Sequence, residues 1–203
     1  MPTDIINIID YGVSGNLSSL VSSLKKIGKN IKLINKVSEF PSDGNLILPG
    51  VGSFDNAING LKKSSIFDKL LNLNPNNYKI LGICLGMQIL GNSSEESLEI
   101  NKGIKLLNFT SHKFKPKDPK LIKVPHIGWN RIYSKNSQSV DGYFYFLHSF
   151  YIKSSEKDTS THFTDYYDFT FPSYIKKDNI FCCQFHPEKS GNNGLDFLSN
   201  IFN

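Results

Sequence analysis

Ile80-Leu81-Gly82-Ile83-Cys84-Leu85-Gly86-Met87-Gln88 runs from an apolar segment through G-x-C-x-G into helix-forming residues. This reads as a strand, a sharp turn and a helix, with cysteine where the nucleophile elbow G-x-S-x-G carries serine. The spacing has a steric reason. A nucleophile on so tight a turn sits in strained backbone, so the residues two before and two after it must be small. The turn leaves Cys84 at a helix N-terminus, where the macrodipole and unpaired N–H groups favour a thiolate.

Upstream, apolar strands alternate with helical patterns. Ile5 to Ile9 is an apolar run with only Asn7 polar, as in a strand covered on both faces. Asn16 can cap a helix whose Leu17, Leu20, Val21, Leu24 and Ile27 follow the i, i+3, i+4, i+7 rule, with Gly28 placed as its C-terminal cap. Strands are expected at Ile31 to Ile34, Leu46 to Leu48 and Lys79 to Ile83, with a helical stretch from about Phe54 to Leu73. Strands separated by helices imply βαβ units and a parallel sheet. Downstream, the Ser/Asn stretch Asn92 to Ser97 reads as an irregular junction. From about Gly103 to Phe185, short Tyr-, Phe-, Thr- and Ile-rich runs broken by Pro, Asn, Ser and Gly predict mixed or antiparallel strands. A last helix is expected from about Leu195 to Phe202. The fold class is therefore α/β, with a mostly parallel central sheet flanked by helices and further mixed or antiparallel strands in the second half, as one domain over residues 1–203.

A thiolate needs a base. Gln184-Phe185-His186-Pro187-Glu188 follows the apolar strand Ile180 to Phe185, and Glu188 can orient and charge-stabilise His186 as the third member of a triad. Leu48-Pro49-Gly50-Val51-Gly52 also follows a strand, and its glycines let backbone N–H groups turn toward an oxyanion beside Cys84. Gln88 lies one turn beyond Cys84 on the same helix face, within reach of a bound substrate. Glu95 and Glu96 can recognise an ammonium group, or form a solvated acidic pair. Taken singly, each motif has a plain alternative: a buried cysteine between packing glycines, a surface His–Glu pair, an ordinary glycine turn. Together they all fall at C-terminal strand ends, where open α/β sheets place their sites. The chain order Cys…His…Glu argues against α/β-hydrolases, which run Ser…Asp…His.

These pieces resemble the class I, triad-type glutamine amidotransferase family, and the match spans nearly the whole chain. Within it, Asp10-Tyr11-Gly12 with Gly15-Asn16-Leu17, Val124-Pro125-His126-Ile127-Gly128-Trp129-Asn130, Tyr143-Phe144-Tyr145-Phe146-Leu147-His148-Ser149 and the continuation His186-Pro187-Glu188-Lys189-Ser190 resemble the glutaminase subunits of imidazole glycerol phosphate synthases. The resemblance implies catalytic roles for Cys84, His186 and Glu188, and an oxyanion site at Gly50, Val51, Gly52 and Leu85. It also implies a glutamine site at Gln88, Glu96, Ser149 and Phe150. Ammonia would pass to a (β/α)₈ cyclase partner, the two forming a heterodimer that makes imidazole glycerol phosphate in histidine biosynthesis. That partner would switch on the oxyanion loop, docking near Asn16, Pro125, Trp129 and Lys189. No cofactor or metal is implied.

Two departures stand out. The first loop, Asp-Tyr-Gly-Val-Ser-Gly-Asn, is one residue longer than the family's usual form, and Tyr167 stands where glycine is common. The altered loop keeps open a paralogous glutaminase that supplies ammonia for an amidino group on a surface sugar. A regulatory subunit that has only kept the fold is disfavoured by the intact Cys84, His186 and Glu188. A cysteine peptidase is disfavoured by the P-G-V-G loop and Gln88.

Composition narrows the classes further. The chain has 203 residues, 39% of them hydrophobic, enough for a core without external staples. No apolar run approaches a membrane span. The formal charge of +5 comes from scattered lysines, with Arg131 the single arginine, which is no nucleic-acid footprint. Three cysteines, two of them adjacent, make neither a disulfide framework nor a paired-cysteine zinc site. Met1 to Asp10 lacks the features of an export signal, so a reducing, cytosolic setting is expected.

Overall fold

The structure, a computed structural model, describes residues 5–12, 17–134, 142–155 and 159–203. The first half runs β1 (Ile5–Ile9), α1 (Leu17–Lys26), β2 (Asn30–Ile34), β3 (Gly44–Leu48), α2 (Phe54–Lys63), α3 (Ile66–Leu71), β4 (Tyr78–Ile83) and α4 (Leu85–Leu90). The second half adds β5 (Ser93–Ser94), β6 (Phe109–Lys113), β7 (His126–Ser134), β8 (Gly142–His148), β9 (Phe150–Ser154), β10 (Ser160–Tyr166), β11 (Phe169–Lys177), β12 (Ile180–Cys183) and α5 (Gly191–Phe202).

Nine strands form one sheet in the order β2-β1-β3-β4-β12-β11-β10-β7-β8, and β5, β6 and β9 form a second, smaller one. From β2 to β12 all neighbours are parallel; from β12 onward they are antiparallel. The expected class is thus the observed one. The central parallel strands are largely apolar because both faces are covered. In β3, Leu46 and Leu48 join a core with α2, α3 and α4, while Ile47 joins a second core with α1 and α5. β12 repeats this: Ile180 and Cys182 face the first core, Phe181 and Cys183 the second. The adjacent cysteines are therefore packing residues, both fully buried and free.

The structure corrects two helix expectations. The stretch Phe54 to Leu73 is two helices, because Ser65 adopts a left-handed φ of 59° that ends the first and redirects the second. The apolar positions kept a helical period through the break, which hid it. The last helix begins at Gly191, not Leu195. Its first turn is polar and glycine-rich, and Gly194 lets it lie directly on Pro187, whose carbonyl oxygen would sit 1.9 Å from an added Cβ. The junction Asn92 to Ser97 contains β5, paired in parallel to β6. Gly28 caps α1 as expected, at φ 78° with Lys29 N–H donating to Leu24 O. The Asn16 cap and the lengthened part of the first loop lie outside the described residues. Tyr167 takes a left-handed φ of 54°, a conformation that favours glycine.

Candidate active site

β4 and β12 are hydrogen-bonded neighbours, with Ile83 opposite Cys183. The residues following them, Cys84 and Gln184 to His186, therefore emerge side by side, although about a hundred positions separate them in sequence. Cys84 has φ 48° and ψ −102°, a sparsely populated backbone state for a non-glycine residue. The small flanking residues are demanded by contact. A Cβ at Gly86 would lie 2.0 Å from Leu48 O, and one at Gly82 would lie 2.6 Å from Leu90 Cδ1. Gly50 is held as closely, since its Cβ would meet Ile83 O at 2.3 Å. Each glycine brings backbone against backbone around the sulfur.

A cavity of about 290 Å³ opens over Cys84, lined by Gly50, Val51, Gly52, Leu85, Gln88, Glu96, Ser149, Phe150 and His186, and by Pro125, Leu147 and His148. This is the low end of small-molecule sites. The oxyanion residues and the glutamine-site residues implied by the resemblance thus meet in one place with Cys84 and His186. Glu188 stands behind the imidazole: its Oε1 is 2.7 Å from His186 Nδ1. Among the described residues His186 Nε2 has no hydrogen-bond partner of good geometry, and it faces Cys84. Contacts of this kind often close fully only when substrate is bound. Burial disfavours the imidazolium, but the Cys84 sulfur and the Glu188 carboxylate outweigh it and push the His186 pKa up to about 10. Ser190 fixes the other end of this turn, donating to His186 O at 2.6 Å and accepting from Tyr145 N–H at 2.9 Å.

The glycine loop is pinned at both ends. Tyr11 donates its hydroxyl to Pro49 O; burial, with the charges of Cys84 and Asp10, raises its pKa and keeps it a donor. At the far end Phe54 N–H donates to Glu96 Oε2 at 2.9 Å, and α2 begins there. Between them lie Val51 and Gly52, the latter at φ 113°, a region that favours glycine. Asp55 in turn holds the loop that carries Glu96, accepting from Ser97 Oγ at 2.5 Å and Leu98 N–H at 2.8 Å. Glu96 is half-buried, and desolvation raises its pKa despite the Phe54 hydrogen bond.

Glu95, offered by the sequence alongside Glu96, turns away from the cavity. It accepts from Lys113 N–H and pairs with Lys115 and His112, contacts that pull its pKa down to about 2. The turn that follows β5 sends these two neighbours in different directions.

Sequence reasoning passed over one network. His148 Nδ1 is 2.7 Å from Phe150 O and must donate to it; His148 Nε2 therefore accepts from His126 Nδ1 at 3.0 Å. His126 Nε2 then accepts from Asn130, which also donates to Asp165 O. Burial depresses both imidazoles, His126 to about 4 and His148 to about 3, so both stay neutral as this chain of donors requires. The relay braces Ser149 and Phe150, the cavity's far wall. The P-H-x-G-W-N motif contained it, but only the pairing of His126 with His148 across β7 and β8 gives it meaning.

Of the four expected docking residues, Asn16 lies outside the described residues and Pro125 lies at the cavity. Trp129 and Lys189 meet over Tyr145, the ring centroids of Trp129 and Tyr145 being 6.2 Å apart and Lys189 Nζ 5.8 Å above the Tyr145 ring. Trp129 is 55% exposed, and with Ile127 and Tyr143 it lies on the outer face of β7 and β8. Tyr145 was not singled out by sequence; its alternation with buried Phe144 and Phe146 was the available signal.

The family model for glutamine amidotransferase class-I matches residues 7–203. The chain belongs to the class-I glutamine amidotransferases. Among relatives of this amidotransferase, the imidazole glycerol phosphate synthase subunit HisH of Caldanaerobacter subterraneus subsp. tengcongensis is 40% identical over 203 residues, covering 97% of each chain. The HisH subunit of Leptospira interrogans is 38% identical, covering 97% of this chain and 98% of the relative. A solved glutamine amidotransferase structure superposes with a TM-score of 0.74 at 14% identity, covering 98% of this chain and 97% of that one, which bears on the fold alone. Among the described residues no helix of the amidotransferase is long and apolar enough to cross a membrane.

The triad geometry sets a pH expectation. A raised His186 pKa means that the imidazolium persists to about pH 10 and is lost above it. Glu188→Gln removes one of the charges that raise it. The alkaline limb of kcat/KM for glutamine should therefore move down by about one pH unit or more. A limb unmoved in that variant would contradict the assignment of Glu188.

Proposed function

We propose that this chain is the glutaminase subunit of an imidazole glycerol phosphate synthase, acting as one cytoplasmic amidotransferase domain over residues 1–203. The observation that carries this is the convergence of Cys84, His186, Gln88, Glu96 and the Gly50–Gly52 loop on a cavity sized for one amino acid. The 38–40% identity to HisH subunits over nearly the full length supports the pathway. Those relatives favour it over the amidino-sugar alternative.

In this reading Cys84 Sγ adds to the side-chain carbonyl carbon of glutamine, and the new oxyanion accepts from Leu85 N–H and from the Val51–Gly52 loop. His186 gives its Nε2 proton to the amide nitrogen, the C–N bond breaks and ammonia leaves a glutamyl thioester. His186 next takes a proton from water as that water attacks the thioester; the C–S bond breaks and glutamate is released. Gln88 is 4% exposed with an unpaired Oε1, so it is available to the substrate amide N–H₂. Glu96 faces the substrate ammonium. The outer face of β7 and β8, with Trp129, Tyr145 and Lys189, and with Pro125 at the cavity, receives the (β/α)₈ cyclase. Docking there orders the pinned glycine loop, and ammonia crosses to the partner.

Mixing the chain with a histidine-pathway cyclase and measuring glutamine-dependent imidazole glycerol phosphate formation tests the assignment. Glutamate release should rise on mixing. Glutaminase activity that no such cyclase stimulates would overturn the pathway reading.

A further inference from the structure

Gln184 is fully buried at the end of β12, two residues before His186 and therefore on the same side of the extended chain. Its backbone N–H donates to Ser173 O at 2.9 Å, which continues the pairing with β11 and fixes where the side chain starts. The side chain then does something unusual for a buried amide. Its Nε2 donates to Cys84 Sγ at 3.4 Å, while its Oε1 has no hydrogen-bond partner among the described residues. Leaving a buried carbonyl unpaired is costly. An amide placed for packing alone would be turned or exchanged to avoid that cost. Such exceptions concentrate where a group serves chemistry.

The sulfur has a second polar neighbour. Leu147 O lies 3.8 Å from Sγ and can only accept, so it favours the protonated thiol. The Gln184 amide can only donate at its nitrogen, so it favours the thiolate. A neutral donor has a further advantage beside His186: it stabilises the sulfur's negative charge without offering or removing a proton, and it leaves the imidazole free for the leaving ammonia. It also holds Sγ in one rotamer. We propose that Gln184 is a catalytic residue that holds Cys84 as a thiolate, aimed at the substrate, through an N–H···S hydrogen bond. This rests on the glutaminase reading for its place in the reaction, but not for the state of the sulfur.

The test follows Cys84 directly. The pH dependence of its alkylation by iodoacetamide, read by mass spectrometry of the Cys84 peptide, reports thiolate formation whether or not glutamine is ever hydrolysed. Gln184→Met keeps the shape and removes the donor; Gln184→Glu keeps the shape and sets a carboxyl against the sulfur. Both should raise the alkylation midpoint by about one pH unit, a tenfold shift in the thiol–thiolate equilibrium. Glutamate release should fall at least as far in kcat, with KM within about twofold. Unchanged midpoints in folded variants would overturn the proposal. Should neither variant fold, the wild-type protein decides: the ¹H and ¹⁵N shifts of the Gln184 side-chain amide should follow the ionisation of Cys84, and shifts flat through that transition would overturn it. A wild-type chain that is alkylated as described but never releases glutamate, with or without a cyclase, would sink the glutaminase reading instead.

Discussion

Cys84→Ala lowers glutamate release from glutamine by at least about 10⁴-fold, because the sulfur is the one group positioned to form the covalent intermediate. The variant should keep its fold. Cys84 sits at a strained φ of 48°, and alanine, no larger than the residue it replaces, relieves none of the packing around the three glycines. Association with a cyclase, followed by calorimetry, should be unchanged if docking uses the proposed face on β7 and β8, which does not involve the thiol. Undiminished glutamate release would refute the nucleophile outright. Lost activity together with lost association would mean that the elbow had collapsed, and a thermal unfolding scan separates the two.

Gly86→Ala carries the largest expected cost in stability, about 3–5 kcal/mol. Its new Cβ would stand 2.0 Å from Leu48 O and 3.0 Å from Leu48 Cβ. The obstacle is the backbone of β3, paired in parallel to β1 on one side and β4 on the other, so it cannot step aside. Gly28→Ala is the informative contrast. Gly28 has open space around its Cβ position but a φ of 78°, so alanine there meets only backbone strain, about 1 kcal/mol. Urea unfolding of the two variants checks the pair. A Gly86→Ala protein within about 1 kcal/mol of wild type would mean that the elbow is looser than its contacts imply.

What was legible in the sequence was whatever depends on short-range geometry. G-x-C-x-G spells out a turn whose neighbours must be small, and the clashes at Gly82 and Gly86 supply the reason. The largely apolar runs of β1, β3 and β12 announce burial on two faces, and their apolar residues divide between the two cores. The break at Ser65 escaped notice because the apolar period carries across it. The antiparallel order β12-β11-β10-β7-β8 could not be read, since alternation states that a strand has two faces but not which strand lies beside it. The same limit hid the His126–His148 relay and the contact of Gln184 with Cys84: both depend on strand pairing, not on spacing. The separation of Glu95 from Glu96 is a third case, decided by the turn that follows β5.

The pairing of β4 with β12 has a mechanical implication. Cys84 directly follows β4, and His186 follows the end of β12 by three residues with its N–H donating to Tyr145 O of β8, so both are tied to the same sheet. On the reading proposed above, in which a partner switches the enzyme on, such control acts through the backbone amides of the Val51–Gly52 span, which is tethered at Tyr11 and Glu96, and not through the attacking pair.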